Sequence, residues 1–105
     1  MLDDLVTALN ACGITFAHHG WSRAPEGTYG VWAEDSASDL IADGHHAERG
    51  TVVIVDVYTR DDTQTPRRLV EAALNSLPVG WRLDGCMYEN ITGRIHWQWR
   101  VAVYG

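Results

Sequence analysis

Two adjacent-histidine pairs, His18-His19 and His45-His46, are the side chains here best suited to chemistry, and Asp39, Asp43 and Glu48 lie near the second pair in the chain. Imidazole nitrogen and carboxylate oxygen together make a ligand set for zinc or iron. Successive residues of an extended strand point to opposite faces, so each pair is expected to contribute one ligand at most. The spacings HxH, HxxxH and HExxH do not occur. The plainer reading makes all four ordinary polar loop residues, with no metal or other cofactor.

Other reactive groups lack the setting that catalysis needs. Ser22, Ser36, Ser38 and Ser76 have no nucleophile-elbow context, and the glycines form neither GxGxxG nor GxxxxGK[ST]. Glu34-Asp35 and Asp61-Asp62 are adjacent acids, the arrangement of solvated or helix-capping carboxylates and not of an acid/base dyad. Cys12 and Cys86 have no basic neighbour to stabilise a thiolate, make no CxxC motif, and read as free thiols in or near the core. An enzyme is not expected.

Composition narrows the field further. The 105 residues carry fourteen acids and eight bases, a net charge of −6, and every base is Arg. Nucleic-acid binding without sequence preference needs a cluster of phosphate-neutralising cations, which this chain lacks, and nothing suggests sequence-specific binding either. No apolar run approaches the roughly 20 residues of a membrane span. The opening MLDDLVTALNACG has acids where a signal peptide carries bases, so a cytosolic chain without a membrane partner is expected. Its length suits a single domain over residues 1–105.

The elements that must position these groups are legible from periodicity. Leu2, Leu5, Val6 and Leu9 follow helical spacing, with Asp3 and Asp4 in the first turn and Gly13 as the stop. ITFAH is a short strand with Ile14, Phe16 and His18 on one face. After a loop broken by Gly20, Pro25 and Gly27 come two longer strands, TYGVWAED and TVVIVDVYTR, joined by an acidic, histidine-bearing loop. Val53, Val55 and Val57 share one face of the second, which reads as an interior strand antiparallel to its predecessor. Thr65 is placed as N-cap and Pro66 as first residue of a helix whose apolar stripe is Leu69, Ala73, Leu74 and Leu77. Arg67, Arg68, Glu71 and Asn75 are assigned to its wet face. A hairpin turning at Asn90–Gly93 closes the chain, with Ile95, Trp97, Trp99, Val101 and Val103 toward the core. The order α-β-β-β-α-β-β is an α+β fold: a mainly antiparallel sheet of about five strands with two helices on one face.

Trp21, Trp32, Tyr58 and Tyr104 are hard to bury together in so small a chain, and aromatic residues and Arg favour contact surfaces. Arg60, Arg94 and Arg100 beside acidic stretches suit a head-to-tail contact between identical subunits, which closes into a ring if the rotation allows. The alternative is a monomer with a mixed-charge surface.

The segments GITFAHHGW, PEGTYGVWAED, DLIADGHHAERG, DVYTRDD and YENITGRIHWQW together resemble the small tail-completion or tail-terminator-like proteins of long-tailed phages and of prophages in Gram-positive bacteria. The resemblance runs from about Ile14 to Tyr104, and Tyr29 to Asp35, Asp43 with its loop and Val57 to Asp62 carry most of it. It implies a subunit without catalytic residues that forms a ring, a hexamer in such families, at the head-proximal end of the tail tube. There the ring would stop tube growth and meet the neck. Implied partners are further copies of the chain, the major tail tube protein and the neck or connector proteins. The implied locations are the host cytoplasm during assembly and the virion tail. The loop Ser36–Gly50, with Asp39, Asp43, His45, His46 and Arg49, and the turn Asn90–Gly93, with Asn90 and Arg94, are the expected contact elements, along with Arg60. A second reading is a small metal- or ligand-binding protein using His18, His19, His45 and His46.

Overall fold

The computed structural model describes residues 1–35 and 50–104. Its elements run α1 (Leu2–Ala11), β1 (Thr15–His18), β2 (Tyr29–Glu34), β3 (Gly50–Thr59), α2 (Thr65–Asn75), β4 (Gly80–Glu89) and β5 (Arg94–Tyr104). This is the expected α+β order. The five strands form one sheet in the order β1-β2-β3-β5-β4, antiparallel throughout except for the parallel pair β1 and β2. Among the described residues no helix is long and apolar enough to cross a membrane.

Alternation from Val53 onward in β3 and from Trp97 onward in β5 builds the core. Val53, Val55 and Val57 are fully buried, as are Trp99 and Val101, and they form one cluster with Leu5 and Leu9 of α1 and Val70 and Leu74 of α2. Both helices therefore cover the same sheet face. Each is too short to persist alone in water, so this packing holds it in place. Gly13, at φ 101, takes the left-handed turn that ends α1 and sends the chain into β1.

Five details differ from the sequence reading. The helix α2 begins at Thr65 with Gln64 as N-cap, and no side chain caps it. Its buried stripe is Pro66, Val70 and Leu74, while Leu69 is exposed. Glu71, assigned to water, is half-buried and accepts a hydrogen bond from Trp99 Nε1 at 3.0 Å, which fixes the helix's rotation on the sheet. Cys86 is exposed, because β4 is an edge strand whose residues 84–88 are open to solvent. Trp32, by contrast, is in the core.

Candidate functional site

Parallel pairing of β1 with β2 sets His18 beside Trp32, and Glu34, two residues on, lies on the same face. His18 stacks on the Trp32 ring at 3.8 Å between centroids, and its Nε2 lies 2.6 Å from Glu34 Oε1. His19 does not point to the opposite face as an extended residue would. It adopts φ 67, a left-handed conformation in which His is enriched among non-glycine residues, and its N–H still donates to Trp32 O at 2.8 Å. This folds its ring back onto His18, centroids 3.9 Å apart, with Nε2 4.0 Å from the same Glu34 oxygen. One pair thus presents both imidazoles to one carboxylate, where the sequence reading had the two rings pointing to opposite faces. The His18 hydrogen bond, then Glu34's own backbone N–H and the nearby imidazole charge, lower the Glu34 pKa from its usual 4.5. His45 and His46, with Asp39, Asp43 and Arg49, lie outside the described residues.

The sheet face opposite the helices carries a second constellation. Tyr29, Tyr58 and His96 stack in a row across β2, β3 and β5, at 5.1 and 4.3 Å between successive centroids, and Trp21 meets Tyr29 edge-on. Asp56 Oδ1 is 2.6 Å from His96 Nε2 and accepts from Gln98 Nε2 at 2.9 Å. Burial, followed by the charges of Asp56 and Glu89, pushes the Tyr58 hydroxyl up to about 12. Tyr58 is therefore a neutral stacking partner at physiological pH, not a proton carrier. Further along this face Arg100 bridges Asp35 at 2.9 Å and Asp84 at 3.2 Å.

Three of the residues expected to make contacts, Arg60, Asn90 and Arg94, meet at one end of the molecule. Arg60 donates to Glu26 O and Thr92 O at 3.0 and 3.3 Å. Arg94, only 7% exposed, donates to Gly27 O, Pro25 O and Glu26 O at 2.8, 3.1 and 2.8 Å, with its guanidinium over the Tyr29 ring. Both arginines thus stitch the loop at residues 25–28 to the closing hairpin. The turn itself is tight: Gly93 at φ 69 donates to Glu89 O at 2.8 Å. Beside it stand Ile91, Tyr88 and Met87, exposed by 101%, 62% and 66%.

These three apolar residues were not singled out from the sequence, although the non-alternating run Met87-Tyr88 next to a turn was a visible signal. Glu34 as the histidine partner was also missed, because parallel pairing joins positions distant in the chain. Burial pushes both the Cys12 and the Cys86 thiol up, so neither is held as a reactive thiolate.

No protein-family model and no curated protein matches this chain. Among solved structures, a chain of the virion of a native gene transfer agent particle is similar, with 20% identity over 96% of this chain and 84% of that one and a TM-score of 0.43.

Proposed function

We propose that this chain is a non-enzymatic structural subunit of a phage or prophage tail. It self-assembles as a ring at the head-proximal end of the tail tube, completes or terminates the tail and joins it to the neck. The sequence resemblance from Ile14 to Tyr104 supports this reading. The observation that carries it is the exposed end of the closing hairpin: Met87 and Tyr88 on the edge strand β4, and Ile91 in the turn. An edge strand offers unpaired backbone groups to another chain, and exposed large apolar side chains along it and at its turn favour an interface. Arg60 and Arg94 give that end a rigid base.

On this reading the partners are further copies of the chain, the tail tube protein and a neck protein, met in the host cytoplasm and retained in the virion tail. A polymerisation assay with the cognate tail tube protein tests it. Adding this chain is expected to halt tube growth and to leave the chain bound at the tube end. Tubes that elongate unchanged, with the chain left in the supernatant, would overturn the proposal.

A further inference from the structure

We propose that His18, His19 and Glu34 form a binding site for a divalent transition-metal ion, with coordination positions left open to water or to a group from another molecule. Their three ligand atoms lie within 4.8 Å of one another. Tetrahedral bonds of about 2.0–2.1 Å place neighbouring ligand atoms roughly 3.4 Å apart. The observed Nε2-to-Oε1 distances of 2.6 Å for His18 and 4.0 Å for His19 bracket that spacing. Side-chain exposures of 42%, 68% and 37% leave the rings and carboxylate free to make the remaining adjustment, including the tilt that takes the histidines out of their stack.

The site is organised by backbone. The His19 N–H to Trp32 O hydrogen bond and the left-handed turn at His19 carry its ring to the face where His18 already rests on Trp32. Two imidazoles and one carboxylate suit zinc or copper better than the oxygen-seeking calcium or magnesium. The ion would sit between His18 Nε2 and Glu34 Oε1, which already face each other at 2.6 Å. Acid therefore opposes binding, since protons compete for the same atoms. His96 makes the contrasting case. Its Nε2 faces Asp56 and its Nδ1 faces Glu89, at 2.6 and 3.8 Å, so its carboxylates sit against different edges of the ring and do not converge.

This inference is independent of the tail reading. Titration calorimetry with zinc chloride, on the full chain and on His19→Ala and Glu34→Gln, tests it, with circular dichroism to verify that each variant is folded. Both substitutions lie on exposed side chains and spare the His18–Trp32 stack. The intact chain is expected to bind one zinc, and each variant to lose about tenfold or more in affinity, on the scale of lost metal-site groups. No measurable zinc uptake by the intact chain, or equal affinity in the first two variants, would overturn the site.

Discussion

Arg94 and Tyr58 are single residues whose surroundings make sharp demands. The buried guanidinium of Arg94 satisfies three carbonyls of the loop at residues 25–27. Hydrogen bonds to a charged group are stronger than neutral ones, and removing the donor leaves its acceptors unpaired. Arg94→Ala is expected to lower stability by about 2–4 kcal/mol in urea unfolding. Arg94→Lys should recover less than half of the loss, because an ammonium lacks the planar fork that reaches three acceptors. Tyr58 gives a pH prediction. Its hydroxyl ionises near 10 when unfolded and near 12 in the fold. Between those values the folded state holds the extra proton, so stability falls as pH rises from 10 to about 12 and then levels. Phenolate absorbance should place one tyrosine near 12, and Tyr58→Phe should abolish both that titration and its share of the alkaline loss of stability.

At the scale of elements, the parallel pair β1 and β2 depends on a glycine. Phe16 and Gly30 are register partners, and the Phe16 ring covers the place a side chain at residue 30 would occupy. Gly30→Ala is expected to cost about 1–3 kcal/mol, the range for overpacking a core, read as a lowered unfolding midpoint. Such elements were largely legible from the residues. Valines alternating in β3 and tryptophans in β5 marked the buried face, and Gly13 marked the end of α1, because period and punctuation are local properties. What required the folded chain was rotation and pairing. Leu69 and Val70 are both apolar, and only the docking of α2 through Glu71 and Trp99 selects Val70. Likewise, the left-handed His19 and the β1–β2 register bring Glu34 to His18. No sequence period encodes either.

For the whole molecule, the two helices cover one sheet face and leave the other with the Tyr29–Tyr58–His96 row, while β4 stands at the sheet edge with its apolar end exposed. The legible part of the proposed contact surface was the Asn90–Gly93 turn; the apolar residues beside it emerged from the exposure of β4. Ile91 has no burial to lose within one chain, so Ile91→Asp should leave the unfolding midpoint unchanged and act on assembly alone. Native mass spectrometry of the intact chain and of Ile91→Asp, each alone and mixed with the cognate tail tube protein, tells a self-assembling tail subunit from a monomer. A ring-sized assembly of the intact chain is expected, alone or on the tube, and a folded monomer for the variant under both conditions. An intact chain that stays monomeric with and without tube protein, or a ring that Ile91→Asp leaves untouched, would contradict that expectation.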